Sequence, residues 1–375
     1  MPTITSSDAQ PYIIAVGQIP PPVTGYAYIT ARLIETLSKN AKIETINISP
    51  GNRQGLRKHV QKSRQTIRAC WRIARNNRLP RLVYLGCEGD LGLIYTAALV
   101  VVARLFGHAI FLHHHSFSYI DCASRLIELI LGVGRAQIRH IFLCTTMRER
   151  FERRYGKVLK SSIISNAAFV EVQPFVAQAG CASGSLRIGL LSNLTREKGL
   201  YTFLALLRHL SNSGVEVQGL LAGPIANEQD RANVFAAEAE LGGMLKYLGP
   251  VYGDAKNRFY HSIDVFVFPT HYANEAQPTV LFEARAAGNR VIAYDRGCIG
   301  SQVGKSGLAI PITDDFCVRA STYLGQLLRE HPTGTFDRQE IVREFQDTKT
   351  SALHSLDDLV RSAPSRFSGS VRCYS

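Results

Sequence analysis

The sequence predicts an α/β fold of two doubly wound domains, each a parallel sheet covered by helices on both faces. Short apolar runs alternate with longer amphipathic segments along most of the chain, which is typical of strand–helix–strand units. The length of 375 residues favours two domains over one. The alternation stops at residues 170–185, which are mostly small and polar, and then begins again. We therefore expect one domain over residues 1–170, a second over 171–345, and a C-terminal helix or tail over 346–375 that packs back on the first domain.

The first half of the chain contains five apolar runs that predict buried strands. These runs are residues 12–17, 42–48, 81–86, 109–115 and 140–146. A helix is predicted from about Tyr26 to Leu37, where apolar residues recur on one face. Thr24 precedes this helix and has a side chain suited to capping its first turn.

The second half repeats the alternation of apolar strand and amphipathic helix. Strands are predicted at residues 186–193, 215–224, 245–250, 263–269 and 290–295. Helices are predicted at residues 199–210, 227–241, around 256–262, and at 278–287 with Gly288 as the stop. In doubly wound sheets ligands bind beyond the carboxyl ends of the strands. We therefore expect the ligand in a cleft between the two domains.

The composition is that of an ordinary globular protein, with 46% hydrophobic and 19% charged residues. The longest apolar run, residues 91–107, is short for a membrane span and contains Arg104, so it predicts a buried helix. The N-terminus has neither the basic start nor the apolar core of an export signal. The eight cysteines include no C-x-x-C pair, so no zinc site is expected. Together these features favour a cytoplasmic protein.

The net charge of +13 is distributed unevenly, because residues 53–81 contain ten Lys or Arg and no Asp or Glu. As a helix, this segment has an apolar stripe of Val60, Ile67, Trp71 and Ala74, edged by Arg57, Arg64, Arg68 and Arg75. Three interpretations stay open at this point. The helix binds an anionic membrane surface, it binds nucleic acid, or its apolar stripe faces the core and its basic side faces water.

Two glutamates, Glu275 and Glu283, lie eight residues apart on either side of Pro278. On one continuous helix they would be about 12 Å apart along the axis, which is too far for a pair of hydrolytic carboxylates. Proline instead favours a helix that begins near Pro278, with Glu275 in the preceding loop and Glu283 inside the helix. The bare amides from about Thr279 to Leu281 then form an anion site between the two acids. This arrangement suits a nucleotide-sugar, and the alternative is two surface glutamates paired with arginines.

The spacing Glu275-x7-Glu283, followed by ARAAGNRVIAYDRG, resembles the signature of retaining glycosyltransferases of the GT-B type, in family four. Further matches are IISNAAF at 163–169, GLLSNLTREKGL at 189–200, LLAGP at 220–224 and YLGPV at 247–251. The resemblance covers nearly the whole chain. It implies two Rossmann-like domains that face each other across a cleft, with acceptor binding in the first domain (residues 1–170) and nucleotide-sugar binding in the second (residues 171–345).

The resemblance also implies a role for each residue around the signature. Glu275 would be a catalytic residue that accepts hydrogen bonds from hydroxyls of the donor sugar near the reacting carbon. Glu283 would hold the ribose hydroxyls of the donor. Pro278 and the amides of Thr279 and Val280 would meet the diphosphate at the start of the helix.

Four further positions, Lys198, Asn193, Arg196 and Gly25, belong to the implied donor site. Lys198 would neutralise the diphosphate as it leaves, and so would act in both donor binding and catalysis. The family usually has an arginine where Asn193 stands, and the nearby Arg196 is the candidate to replace it. Gly25 matches a flexible glycine loop that closes over the donor phosphates. By resemblance, neither a divalent metal nor a cofactor is expected.

Three consecutive histidines end the predicted strand at residues 109–115. Side chains alternate along a strand, so His113 and His115 would share one face and His114 would lie on the other. A metal site is not expected, because no Cys or carboxylate lies at ligand spacing. By resemblance, a histidine at this strand end reaches the donor sugar or the acceptor hydroxyl. His115 fits this catalytic position best, with His113 and His114 as the alternatives.

The sequence therefore predicts a retaining glycosyltransferase that moves a sugar from a nucleotide-sugar to an acceptor hydroxyl. By resemblance, the acceptor is a glycan or a lipid-linked glycan of cell-envelope or polysaccharide synthesis. Residues 53–81 add the expectation of peripheral attachment to an anionic membrane at the inner face of the plasma membrane, and no nucleic-acid partner is expected. Two alternatives remain open. One is a nucleotide-sugar epimerase of the same architecture, and the other is a non-enzymatic nucleic-acid or membrane-binding protein that uses the basic segment.

Overall fold

The computed structural model describes residues 12–22, 24–51, 53, 55–75, 82–171, 185–331 and 337–362. These residues form two six-stranded sheets in which all neighbouring strands are parallel. The chain divides into two compact units, which we call unit 1 (residues 1–169 and 352–375) and unit 2 (residues 170–351). The predicted fold class, two doubly wound α/β units, is confirmed.

The sheet of unit 1 has the strand order β2-β1-β3-β4-β5-β6. Its strands are β1 (Tyr12–Gly17), β2 (Lys42–Asn47), β3 (Leu82–Cys87), β4 (Ala109–His114), β5 (Ile138–Phe142) and β6 (Ser161–Ile163). Its helices are α1 (Gly25–Ser38), α2 (Gly55–Arg75), α3 (Gly92–Leu105), α4 (Ser118–Asp121), α5 (Arg125–Gly134) and α6 (Thr145–Tyr155). Strand β1 pairs with both β2 and β3, so the direction of winding reverses between β1 and β3. This is the topological switch point of unit 1.

The sheet of unit 2 has the strand order β12-β11-β10-β7-β8-β9. Its strands are β7 (Leu186–Leu191), β8 (Val217–Ala222), β9 (Leu245–Tyr247), β10 (Val265–Phe268), β11 (Arg290–Asp295) and β12 (Leu308–Pro311). Its helices are α7 (Leu200–Asn212), α8 (Glu228–Leu241), α9 (Gly253–His261), α10 (Thr279–Ala286), α11 (Ile299–Gln302) and α12 (Phe316–Glu330). Helix α13 (Arg338–Arg361) follows, and its residues from Ala352 onward belong to unit 1. The direction of winding reverses between β7 and β10, which is the switch point of unit 2.

The central strands β1, β3, β7 and β10 are buried at every residue or at all but one, which explains why they are almost continuously apolar. All six residues of β3 and all four residues of β10 are buried. Helices that cover both faces of a parallel sheet exclude water from its strands. Polar side chains therefore collect in the loops that follow the strands, and those loops are the place to look for a site.

Several predicted boundaries differ from the observed ones by one to four residues, among them the end of the strand at 140–146 and the start of the helix at about Tyr26. The predicted strand 140–146 ends at Phe142, because Cys144 caps the next helix by accepting a hydrogen bond from the amide of Met147. Gly25 is the first residue of α1 and not part of a loop, while the predicted cap is confirmed by a 3.1 Å hydrogen bond from the amide of Ala27 to Thr24 Oγ1. A Cβ on Gly25 would meet no atom within 4 Å, so space does not require glycine there.

The basic helix α2 presents its apolar stripe to solvent. Val60, Ile67 and Trp71 are 51%, 68% and 52% exposed. The buried face of α2 consists instead of Lys62, Thr66, Ala69 and Ile73. The interpretation that the apolar stripe faces the core is therefore wrong. Residues 76–81 of the basic segment lie outside the described residues.

Helix α3 corresponds to the longest apolar run of the sequence. It covers 14 residues and buries Leu93, Ala97, Leu99, Val100 and Ala103 among others, as predicted for a helix of the core. Among the described helices, not one combines the length and the apolar character that a bilayer crossing needs.

Candidate active site

The switch point of unit 2 brings together two loops, residues 192–199 after β7 and residues 269–278 after β10. The amide of His271 donates to the carbonyl oxygen of Glu197 at 2.7 Å, and the hydroxyl of Thr270 donates to the same oxygen at 3.3 Å. Gly199 ends the first loop with a φ of 88°, and a Cβ there would lie 2.4 Å from the carbonyl oxygen of Pro269. Only glycine allows this close approach of the two loops.

An ion pair between Lys198 and Glu275 connects these loops. The two side chains are 22% and 13% exposed, so the pair is shielded from bulk water but still accessible. The ammonium group of Lys198 also lies 4.3 Å from the centre of the Tyr272 ring, a cation–π contact. Arg296 donates to the carbonyl oxygen of His271 at 2.7 Å and so fixes the loop that carries Glu275. The structure thus brings together two residues that are predicted from separate motifs.

Helix α10 begins at Thr279, four residues after Glu275. Pro278 is its N-cap residue, and its side chain makes no capping hydrogen bond to the first amides of the helix, which include those of Thr279 and Val280. The buried side chain of Gln302 donates to the carbonyl oxygen of Pro278 at 2.9 Å and holds the helix start in place. The guanidinium of Arg285 donates a 3.3 Å hydrogen bond to the main-chain oxygen of Gln302 and so helps to hold Gln302 in place. A fixed helix start with uncapped amides and the positive end of the helix dipole suits an anion.

Glu283 lies in the second turn of α10, as predicted, and both of its carboxylate oxygens are engaged. Lys256 Nζ lies 2.7 Å from Oε1, and the hydroxyl of Tyr260 donates to Oε2 at 2.8 Å. Burial, followed by the charge of Glu283, raises the pKa of Tyr260 well above its usual value, so this phenol remains a hydrogen-bond donor. Sequence reasoning missed Lys256 and Tyr260, although their spacing of four residues on α9 places them on one helix face.

The other two predicted donor residues lie on the outside of the first loop. Asn193 and Arg196 are both exposed. The guanidinium of Arg196 stacks 4.4 Å from the centre of the Tyr201 ring, and Tyr201 donates to Asp230 at 2.7 Å. Of the predicted cations in the described part of the chain, Lys198 is the one that pairs with a predicted acid. The replacement of the usual arginine by Arg196 stays a prediction.

In unit 1 the three histidines alternate across β4 as predicted. The ring centres of His113 and His115 lie 4.0 Å apart, whereas His114 Nε2 lies 2.9 Å from Nδ1 of His140 on the other face. Burial lowers the pKa of His113 to about 3 and that of His140 to about 4, and it lowers the pKa of His115 well below its usual value. All of these rings are therefore neutral near pH 7. No group of three His, Cys, Asp or Glu side chains in the described ranges is arranged to hold a metal ion.

Comparison with known proteins places these observations in context. Residues 176–315, within unit 2, match the family model described as Glycosyl transferases group 1. No curated protein matches the chain. Among solved structures, Anabaena HepE in complex with UDP and glucose is similar over 94% of this chain and 99% of its own, with 14% identity and a TM-score of 0.64.

Two more solved structures are similar over nearly the whole chain. Sucrose-phosphate synthase from Thermosynechococcus elongatus is 16% identical, with a TM-score of 0.68 and coverage of 94% of this chain and 98% of its own. The lipopolysaccharide outer core galactosyltransferase WaaB is 14% identical, with a TM-score of 0.68 and coverage of 94% and 100%. The chain therefore has the fold of GT-B glycosyltransferases, with two Rossmann-like units, and its second unit contains a segment that matches glycosyl transferases group 1.

Proposed function

We propose that this protein is a retaining glycosyltransferase that moves a sugar from a nucleotide-sugar to an acceptor hydroxyl. The observation that carries the proposal is the Lys198–Glu275 ion pair at the switch point of unit 2, beside the uncapped start of α10. A cation and a bare helix start suit a diphosphate, and a carboxylate next to them suits the hydroxyls of a sugar. HepE, which shares the fold, binds UDP and glucose, and this supports a donor of the same kind.

In this scheme the donor diphosphate binds at the start of α10, where the amides of Thr279 and Val280 and the helix dipole favour negative charge. Lys198 exchanges Glu275 for the diphosphate when the donor enters. Its positive charge then lies where negative charge develops as the bond between the sugar and the phosphate breaks. Glu275, released from Lys198, accepts hydrogen bonds from the sugar hydroxyls.

Glu283 binds the ribose hydroxyls of the donor. Lys256 and Tyr260 hold its two oxygens at 2.7 and 2.8 Å, so the carboxylate is oriented before the donor arrives. Each carboxylate oxygen can accept a second hydrogen bond, so these contacts leave room for a ribose. The orientation reduces the ordering that donor binding requires.

The acceptor hydroxyl attacks from the face that the nucleotide leaves and passes its proton to the departing diphosphate. The configuration of the anomeric carbon is therefore retained. No covalent intermediate with the protein is part of this scheme, because Glu275 and Glu283 are both occupied by hydroxyl groups of the donor. Lys198 and the helix start supply the positive charge that a divalent metal would otherwise supply, so the scheme needs no metal or cofactor.

The direct test is a thermal shift series with UDP-, GDP- and ADP-sugars. A donor at about 100 times its Kd stabilises the folded protein by about 2.7 kcal/mol, which raises Tm by several degrees. The best donor is then incubated without an acceptor, where a transferase gives at most slow hydrolysis. Absence of a shift with every nucleotide-sugar contradicts the proposal. Interconversion of the donor sugar without an acceptor contradicts it too, because that is the reaction of an epimerase.

We also propose that the acceptor is a glycan or lipid-linked glycan of the cell envelope, reached from the cytoplasmic face of an anionic membrane. Helix α2 supports this part, because Leu56 and Ile67 are 79% and 68% exposed beside the exposed arginines Arg64 and Arg68. A basic side chain near an anionic lipid surface contributes about 1 kcal/mol to binding, and buried apolar side chains add to it.

Sedimentation with vesicles tests the membrane surface. The protein should sediment with phosphatidylglycerol vesicles at low salt, less at high salt, and little with phosphatidylcholine vesicles. Ile67→Asp should reduce sedimentation at least tenfold. Ile312→Asp, at a 49% exposed apolar residue of unit 2, is the matched control and should behave as the unchanged protein. Equal sedimentation of both variants contradicts the assignment of α2, and binding to duplex DNA but not to vesicles favours the nucleic-acid alternative.

A further inference from the structure

The ammonium group of Lys198 lies between two partners of different kinds, and none of the roles proposed above uses the second of them. The first partner is the carboxylate of Glu275, and the second is the ring of Tyr272, whose centre lies 4.3 Å from Lys198 Nζ. A lysine within about 6 Å of a ring centre is attracted by the electron-rich face of the ring. Tyr272 is half-buried and the Lys198 side chain is 22% exposed, so the ring borders the lysine without closing it off from a ligand.

The loop, and not the lysine, places the ring of Tyr272. One guanidinium, that of Arg296, donates to the carbonyl oxygens of the residues on either side of Tyr272, to His271 at 2.7 Å and to Ala273 at 3.3 Å. The amide of Tyr272 donates to the hydroxyl oxygen of Thr270 at 3.2 Å, and Thr270 is fully buried. Hydrogen bonds that do not involve Lys198 therefore hold the main chain around Tyr272.

The carboxylate that pairs with Lys198 belongs to the same turn as the ring. The amide of Glu275 donates to the carbonyl oxygen of Tyr272 at 3.0 Å and closes a β-turn between the two residues. Ring and carboxylate thus contact the lysine of the neighbouring loop from one short segment. When the side chain of Glu275 moves away from Lys198, the main chain of this segment, and with it the ring, stays in place.

Unit 1 has a similar group at its own switch point, but there the lysine is almost closed off. Glu88 directly follows β3 and pairs with Lys62, whose Nζ lies 5.0 Å from the centre of the Tyr95 ring. The pair also lies near the phenol of Tyr26, which stays neutral because burial, and next the charge of Glu88, raise its pKa well above the usual value. The side chain of Lys62 is 5% exposed and that of Lys198 is 22% exposed. The group in unit 1 therefore suits a fixed contact, whereas Lys198 can exchange one partner for another.

The two partners act differently on the charge of Lys198. A carboxylate compensates this charge and accepts hydrogen bonds from the ammonium group, so it competes with the donor diphosphate for both. The face of a ring attracts the cation but carries no net charge. The lysine side chain is long and flexible, so without a second partner it would lose its place once Glu275 turned to the sugar. A ring restrains the lysine and leaves its charge to the diphosphate.

We propose that Tyr272 is a positioning residue for sugar transfer, whose ring holds the ammonium group of Lys198 in place while this lysine exchanges Glu275 for the donor diphosphate. This inference rests on the proposed transferase function and adds to it a residue that acts through Lys198 rather than on the substrate. A cation that stays ordered during the exchange is already in position when negative charge develops on the departing diphosphate.

The test uses the full chain and the nucleoside diphosphate of the nucleotide-sugar that gives the largest thermal shift. Calorimetric titration measures its Kd, because this ligand carries the charge that Lys198 meets. Tyr272→Leu should raise the Kd about fivefold, whereas Tyr272→Phe keeps the ring face and should raise it by less than about twofold. In a Lys198→Met background, which lacks the cation, Tyr272→Leu should change the Kd by less than about twofold. Phe235→Leu, at a 49% exposed aromatic residue of α8, is the matched control and should leave the Kd unchanged.

A second series keeps the shape of the ring and changes only its electrons. Phenylalanine with one, two or three ring fluorines at position 272 attracts a cation progressively less, because fluorine withdraws electron density from the ring face. The Kd should rise stepwise with the number of fluorines, to about fivefold above that of Tyr272→Phe. Release of the nucleoside diphosphate from the nucleotide-sugar should slow in the same order. A ring that only packs against the lysine would give no such series.

The outcomes separate this inference from the function on which it rests. An equal effect of Tyr272→Leu in the presence and absence of Lys198 overturns the inference and assigns the ring to packing. A Kd that stays constant along the fluorinated series overturns it too, and this result does not depend on whether Tyr272→Leu folds. A chain that binds neither a nucleotide-sugar nor a nucleoside diphosphate contradicts the transferase function itself, and the inference with it.

Discussion

Units 1 and 2 place a Lys–Glu ion pair at the same point of the same topology but surround the two pairs with different groups. In unit 2, Lys198 and Glu275 lie beside a helix that has no side-chain cap. In unit 1, the Lys62–Glu88 pair lies beside neutral aromatic rings, and the helix after β1 is capped by Thr24. An uncapped helix start favours an anion, whereas neutral rings suit uncharged hydroxyls. The comparison teaches that one topology places the same kind of ion pair among different neighbours, so the local side chains determine which chemistry each site suits.

The largest expected effect tests the acid of unit 2. Glu275→Gln removes the charge that pairs with Lys198, and we expect turnover to fall about 100-fold or more, roughly 3 kcal/mol in the barrier. Nucleotide affinity should change less than about threefold. Steady-state kinetics and calorimetric titration of the nucleotide measure the two quantities. Glu228→Gln, at an exposed glutamate of α8, is the control. Equal losses of turnover and affinity contradict the proposed role of Glu275.

The next largest effect is the loss of stability at acidic pH, which we expect to be greater in unit 1 than in unit 2. The pKa of His140 is lowered to about 4 and that of His113 to about 3 by burial, while an unfolded histidine titrates near 6.5. Below pH 6.5 the unfolded state binds more protons than the folded state. The contribution of these histidines to the free energy of unfolding is therefore fully present above pH 6.5 and is lost as the pH falls towards 4. For His140 the free energy of unfolding falls by about 3 kcal/mol. In unit 2, burial also lowers the pKa of His261 and His271, but their side chains are only partly shielded, so the loss is smaller.

Hydrogen exchange followed by mass spectrometry at pH 7 and pH 4.5 checks this difference. Strands β4 and β5 should lose protection at the lower pH before β10 and β11 do. His140→Asn removes the titrating group and should reduce the change in unit 1. Earlier loss of protection in β10 and β11 is the result that disproves the assignment.

A smaller effect is expected for the second acid of unit 2. Glu283→Gln should weaken nucleotide binding about tenfold, near 1.4 kcal/mol, because an amide accepts ribose hydrogen bonds less well than a carboxylate. The turnover number at saturating donor should change little. Tyr260→Phe, which removes one of the groups that orient Glu283, should weaken binding in the same direction by a smaller factor. A loss in turnover alone would reverse the roles of Glu275 and Glu283.

The smallest effect tests the support beneath the helix start. Gln302→Leu removes the 2.9 Å hydrogen bond to the carbonyl oxygen of Pro278, and we expect nucleotide affinity to fall about threefold. Gln326→Leu, at an exposed glutamine of α12 that donates a 2.8 Å hydrogen bond to Glu330, is the control. An unchanged affinity in Gln302→Leu means that the packing of α10 alone fixes its start.

Local patterns predicted much of the fold and of the site in unit 2. The predicted strand at 290–295 coincides with β11, and Gly288 follows α10 with a φ of 77°, as a helix stop requires. The placement of His113 and His115 on the same face followed from the two-residue period of a strand alone. These predictions depend on residues that are close together in the sequence, where backbone geometry leaves few choices.

Contacts between residues distant in the sequence could not be predicted. Lys62 and Glu88 are 26 residues apart, and Lys256 and Glu283 are 27 apart, so no local period connects them. For α2, the helical period of 3.6 residues predicted the apolar stripe, but it did not predict which face of the helix is buried. The face with Lys62 is the buried one: α2 packs against α3, and Lys62 pairs with Glu88, which directly follows β3. The stripe of Ile67 and Trp71 was therefore left to solvent.

Helix α2 carries Lys62 on one side and Ile67 on the opposite side of a single 21-residue rod. A rod of this kind cannot tilt or rotate at one face without moving the other. A partner that binds the face with Ile67 will therefore also shift the ammonium group of Lys62, which pairs with Glu88. The exposed face of α2 is in this way coupled to a buried ion pair that no partner bound at that face would touch.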